Sequence, residues 1–179
     1  SERFEKDPRS VSILKQFDGI IVPGGFGARG VEGKIKAIEY VRKHNIPYFG
    51  LCYGLQLAVI EFSRNVLKLK GAATTEIDPK TNYPVIHTME EQIEHIQKKR
   101  YGGSMRLGNY PCTLKQNTKA FNAYGQQKII ERHRHRYEVN NEYRQQLESA
   151  GFIVSGRSPD HRLVEIMELR DHRWFIGTQ

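Results

Sequence analysis

Cysteine is scarce in this chain: Cys52 and Cys112 are the only two in 179 residues. Two cysteines cannot staple a domain of this size, so a disulfide scaffold is excluded and both are expected to be reduced thiols. Neither sits in a CxxC pair, and His and Cys do not recur at zinc spacing, so a structural metal is not expected. Long apolar runs are lacking too. The stretch from Leu55 to Ile60, broken by Gln56, falls far short of the ~20 residues that a membrane-spanning helix needs, and no membrane partner is expected. Ser1 to Pro8 is charged rather than apolar, so no export signal is read and the expected location is the cytoplasm. Internal repeats and low-complexity tracts are absent.

What the chain does contain is basic and mixed. Its 28 Lys and Arg against 20 Asp and Glu give a net charge of +8, with 38% hydrophobic and 27% charged residues. That is too apolar and too balanced in sign for a disordered tail. A chain of this length suits one domain, burying on the order of 70% of its unfolded surface.

Gly19 to Val22 is a short apolar run stopped by Pro23-Gly24-Gly25, as suits a buried strand. Val31, Ile35, Ile38 and Val41 recur at helical spacing up to His44-Asn45. Ile46 to Leu51 reads as a second strand and Leu55 to Leu69 as a second helix. This is β-α-β-α with parallel strands, so the loops Gly24 to Gly30 and Cys52 to Gly54 are expected along one sheet edge, where ligands bind. From Gly71 to Gln127 the pattern is weak, and Met89 to Gln97 suits a short helix or a loop. Order returns with an extended Lys128 to Val139 and a helix from Asn141 to Ala150. A strand at Phe152 to Ser155 follows, then a hairpin of Leu163 to Leu169 and Trp174 to Thr178. The class is α/β.

Gly25 to Gly30 matches GxGxxG between strand and helix, but the ribose-binding acid expected about twenty residues on is missing at Phe49 to Tyr53. In its place stands Gly50-Leu51-Cys52-Tyr53-Gly54, a nucleophile elbow with Cys for Ser. Flanking glycines let the turn close, and the amides of the following helix favour a thiolate. The Tyr53 amide is one candidate oxyanion donor and Gly25 the other. The bland alternative is a buried Cys beside packing glycines. In Arg132-His133-Arg134-His135-Arg136, period-two alternation places three arginines on one face and two histidines on the other. Such a row can anchor a carboxylate or phosphate. It also suits a solvated edge strand, a nucleic-acid patch without interleaved aromatics, or a His-x-His metal pair without further ligands. The acids of Thr74 to Asp78 can bind an ammonium or cap a turn.

Pro23-Gly24-Gly25-Phe26-Gly27, Gly50 to Gln56, Thr75-Glu76, Gly102 to Gly108 and Glu131 to Val139, in that order, resemble the glutaminase domain of CTP synthases. The elbow alone indicates a class I glutamine amidotransferase. The resemblance implies a three-layer α/β fold with a largely parallel central sheet and a Cys elbow. It implies that Cys52 attacks the glutamine carboxamide, forms a glutamyl thioester and releases ammonia, with Gly25 and Tyr53 holding the oxyanion. Gly25, Tyr53, Gly54, Leu55, Gln56, Glu76 and Arg136 become the expected glutamine site, Arg136 taking the α-carboxylate. Phe26 and Arg29 are the expected contacts of GTP as an allosteric activator, although Arg29 is also placed to pair with Glu32.

The resemblance implies further that residues 1–179 are one glutamine amidotransferase domain truncated at both ends, the family's catalytic His and its Glu following Gln179. No cofactor is expected in this domain. ATP, UTP and Mg are expected in the synthetase domain of the same polypeptide, and the full-length protein is expected to be a homo-oligomer. Tyr53 stands where the family usually has Leu and is expected to narrow the pocket mouth. Two other readings stay open: a catalytically silent assembly or regulatory fragment, and a basic nucleic-acid-binding module.

Overall fold

The computed structural model describes residues 1–88 and 105–179. The expected Met89 to Gln97 segment and Gly102-Gly103-Ser104 lie outside the described residues. Helix α1 (Glu2–Lys6) and a 3-10 segment (Pro8–Gln16) lead into β1 (Ile20–Val22), α2 (Val31–Lys43), β2 (Tyr48–Leu51) and α3 (Tyr53–Asn65). Two short strands follow, β3 (Ala73–Thr74) and β4 (Pro84–Thr88). From residue 105 onward come β5 (Arg106–Leu114), α4 (Lys119–Tyr124), β6 (Lys128–His135) and β7 (Tyr137–Val139). The described chain ends with α5 (Asn141–Ser149), β8 (Phe152–Arg157), β9 (Val164–Leu169) and β10 (Phe175–Thr178).

Seven strands form one sheet in the order β1-β2-β10-β9-β8-β5-β6, and β3-β4-β7 form a second. In the large sheet the neighbouring pairs β1·β2 and β2·β10 are parallel. The remaining pairs of the large sheet are antiparallel, so it is mixed rather than largely parallel. Connection length accounts for this: the five residues between β9 and β10 can close a hairpin but are too few for a parallel crossover.

Alternation sorts the side chains of the sheet into two cores. Tyr48, Phe152, Met167 and Phe175 belong to the larger core, shared with Ile38 and Val41 of α2, Leu57 and Ile60 of α3, and Leu147 of α5. Cys112, Leu114, Ile129, Ile166 and Ile176 form the smaller one, with Ala120 of α4. Both helices α4 and α5 are capped as their sequences dictate. Thr118 accepts the Phe121 N–H, and Asn140 accepts the Glu142 N–H at 3.0 Å. No helix among the described residues is long and apolar enough to cross a membrane.

Candidate active site

Strand β2 ends at Leu51 and α3 begins at Tyr53, so Cys52 alone makes the turn between them. Its φ of 51° and ψ of −100° lie where few non-glycine residues are found, a conformation that surrounding structure has to impose. The flanking glycines are part of that imposition. A Cβ on Gly50 would come within 2.8 Å of the Gly54 carbonyl carbon, and one on Gly54 within 2.2 Å of the Val22 carbonyl oxygen. The Cys52 N–H donates to the Thr178 carbonyl at 2.6 Å, tying the elbow to β10 as well. Parallel pairing of Val22 with Gly50 brings the expected glycine loop alongside, and a Cβ on Gly24 would lie 3.7 Å from that of Cys52.

The sulfur's electrostatics differ from expectation. Burial, the largest influence, pushes the Cys52 thiol above its ordinary value. The Tyr53 amide, bonded to the sulfur, acts the other way, and the Glu138 and Glu76 carboxylates raise it again. Desolvation therefore outweighs the Tyr53 amide. Cys112 is more extreme: it is buried and its thiol is pushed up to about 12, mainly by desolvation.

Cys52 opens into a cavity of 680 Å³ that Gly24, Gly25 and Phe26 border on one side. Gln56, Glu76, Arg132, Arg134, Arg136 and Tyr137 also line it. A carboxylate and a row of guanidiniums thus face one space, an arrangement complementary to the ammonium and carboxylate of an amino acid. Gln56 is fixed by donating to the Tyr137 carbonyl at 3.0 Å. Glu76 accepts the Gly27 N–H at 2.9 Å.

Other expected site residues are placed differently. Gly54 and Leu55 do not line the cavity. The Gly54 carbonyl accepts the Tyr48 hydroxyl at 2.9 Å, and Leu55 is fully buried in the larger core. The Tyr53 ring does not narrow the cavity mouth either. It is 1% exposed and tucked beneath the glycine loop, where its hydroxyl donates to the Gly27 carbonyl at 2.6 Å. Phe26 is 87% exposed. Arg29 pairs with Glu2, while Glu32 is held by Arg64 at 2.9 and 3.0 Å. Of the three arginines, Arg132 and Arg134 lie on the exposed face of β6, with His133 and His135 buried on the other. Arg136 leaves the row, because β6 ends at His135 and β7 pairs with β4 in the second sheet.

Behind the cavity lies a buried network that sequence reasoning missed. Arg106 donates to Glu165 at 3.1 and 2.9 Å and to Glu138 at 3.3 Å. His133 Nδ1 is 2.9 Å from His135 Nε2, and the Gln179 side-chain nitrogen is 2.9 Å from His135 Nδ1. If Gln179 donates to Nδ1, His135 Nε2 carries the proton and donates to His133. Burial, reinforced by Arg106 and His133, lowers His135 to about 3 and holds it neutral. The alternating Arg-His pattern signalled the two histidines. Nothing in the sequence joined Arg106 or Glu165 to them.

The chain matches the family model described as Glutamine amidotransferase class-I over residues 2–179. It is 61% identical over 168 residues to CTP synthase of Thermomicrobium roseum, covering 94% of this chain and 30% of that protein. Against CTP synthase of Clostridium acetobutylicum it is 55% identical over 179 residues, covering all of this chain and 33% of the relative. The chain thus spans about a third or less of the length of these curated relatives. Among solved structures, the glutaminase domain of Trypanosoma brucei CTPS with bound acivicin superposes with a TM-score of 0.88 at 36% identity, covering 96% of this chain and 66% of that one. A glutamine amidotransferase from Thermotoga maritima, at 15% identity and a TM-score of 0.56, shares the fold over 93% of this chain and 56% of its own. The strained cysteine elbow, the glycine loop beside it and the family match over nearly every residue agree: this chain belongs to the class I glutamine amidotransferases.

Proposed function

We propose that the chain is the glutaminase part of a CTP synthase, and that Cys52 hydrolyses glutamine to supply ammonia for amination of UTP. The observation that carries this is the Cys52 elbow, strained and open to a cavity lined by Glu76 and by Arg132, Arg134 and Arg136. Arg136 takes the α-carboxylate, Glu76 the α-ammonium, and Gln56 shapes the floor between them. Cys52 Sγ adds to the carboxamide carbon, and the carbonyl oxygen gathers negative charge between the Tyr53 and Gly25 amides. Collapse expels ammonia and leaves a thioester, which water cleaves to glutamate and the free thiol.

The thiol proton has to reach the departing nitrogen. Among the described residues the one imidazole lining the cavity, His135, has both ring nitrogens engaged. The Thr178 carbonyl accepts the Cys52 N–H, so β10 ends beside the nucleophile. ATP, UTP and Mg belong to the synthetase domain of the same polypeptide in this reading, and GTP would act at the glycine loop near Phe26 and Arg29.

Glutamine hydrolysis measured for the longer polypeptide tests the assignment. In the longer polypeptide, acivicin is expected to label Cys52 and leave Cys112 unmodified, and Cys52→Ala to abolish ammonia release while the protein stays folded. Preferential labelling of Cys112 would refute the assignment.

A further inference from the structure

The β1–α2 loop contains Gly24, Gly25, Gly27 and Gly30, two of them at positive φ, 73° at Gly27 and 70° at Gly30. Glycine at such density gives a free loop many conformations. Yet both polar atoms of Gly27 are held by other elements. Its carbonyl accepts the Tyr53 hydroxyl at 2.6 Å, and its N–H donates to Glu76 Oε1 at 2.9 Å. Tyr53 is the first residue of α3 and directly follows the nucleophile. Its ring also supports the loop from below, because a Cβ on Gly25 would come 3.3 Å from Tyr53 Cδ1. Lys34 of α2 lies 5.5 Å from the ring centroid on the same side chain.

We propose that the Tyr53 hydroxyl is a positioning group that latches the glycine loop onto the nucleophile elbow and so fixes the direction of the Gly25 amide. The proposal rests on the reading of Gly25 as an oxyanion donor. A leucine, the residue usual in the resembled family, has no donor for the Gly27 carbonyl. Here the loop is therefore ordered before any ligand arrives. Desolvation and the nearby Glu76 carboxylate raise the Tyr53 hydroxyl well above its ordinary value, keeping it protonated and able to donate. The Glu76 bond adds a link to substrate. A carboxylate accepts at two oxygens, so Oε1 can hold Gly27 while Oε2 meets the ammonium of glutamine.

An amide that meets oxygen only as charge develops contributes to turnover rather than to glutamine affinity. Tyr53→Phe keeps the ring and removes the hydroxyl. In the full-length polypeptide it is expected to lower kcat for glutamine hydrolysis two- to tenfold, the range one neutral hydrogen bond supports, with KM unchanged. Tyr53→Leu should do the same or more. Amide hydrogen exchange should quicken in residues 24–30 and not in α3. Unchanged kcat, a change in KM alone, or protection lost throughout α3 would overturn the latch while leaving the glutaminase reading intact. If the wild-type polypeptide released no ammonia, or Cys52→Ala released as much as wild type, the glutaminase reading would fall and the latch with it.

Discussion

At the scale of single residues, the site depends on side chains that are absent as much as on those present. Gly54 is the sharpest case. Its α-carbon sits so close to the Val22 carbonyl that even a methyl group overlaps it, at 2.2 Å. Backbone cannot yield as a flexible side chain can, so Gly54→Ala is expected to destabilise the domain by about 1–3 kcal/mol, the usual cost of overpacking. It should also displace Cys52. Thermal unfolding and acivicin labelling of the same variant test both, and an alanine variant with wild-type labelling would show that the elbow tolerates more than the geometry implies. Arg136 is a different kind of residue, valued for its charge. Because a charge-assisted pair is stronger than a neutral hydrogen bond, Arg136→Ala is expected to weaken glutamine binding by roughly 1.5–3 kcal/mol with little change in folding. A glutamine dependence equal to wild type would remove Arg136 from the site.

At the scale of elements, the sequence was most legible where pattern and punctuation coincide. The run from Gly19 to Val22, the apolar spacing of Val31 to Val41 and the elbow glycines all place β1, α2 and Cys52 where they are found. The stretch from Lys128 to Val139 shows the limit. It reads as one extended strand, and the residues are extended on both sides of Arg136. Whether they stay in one sheet depends on partners remote in sequence: β5 takes residues 128–135 and β4 takes residues 137–139. Arg136 stands at the change of partner, and it lines the cavity together with Arg132 and Arg134. The glycine loop was legible as a loop but not in its contacts. Arg29 could be given a partner by proximity, and Glu32 was the natural one. The fold brings Glu2 instead, because α1 packs against α2. That pair is exposed to solvent and weakly held. In the proposed CTP synthase, Arg29→Ala should reduce GTP stimulation of glutamine hydrolysis, and full stimulation in the variant would place the nucleotide elsewhere.

At the scale of the whole molecule, the buried network behind the cavity joins β5, β6, β7 and β9, and its ionisation should govern stability against pH. One guanidinium, Arg106, faces two carboxylates, Glu138 and Glu165, with His133 and His135 alongside. Desolvation, with Glu165 adding to it and Arg106 opposing, raises Glu138 from 4.5 to about 8. The folded chain thus holds a proton there that the unfolded chain releases, and this contribution falls as pH rises from 4.5 to 8. His135 runs the other way. Lowered from 6.5 to about 3, it contributes fully above pH 6.5 and loses that contribution as pH falls toward 3. Burial lowers His133 in the same sense. Between pH 4.5 and 6.5 the glutamate and the histidines oppose each other, whereas between 6.5 and 8 the glutamate acts alone. The domain is therefore expected to lose about 2 kcal/mol over that upper interval. Glu138→Gln keeps the shape of the side chain and cannot ionise, and Arg106 retains both bonds to Glu165. The variant should hold a nearly constant Tm from pH 6.5 to 8 where the wild type declines. Melting curves for both proteins across that range decide the matter, and parallel declines would mean that Glu138 is already ionised at pH 6.5 with Arg106 as its counter-charge.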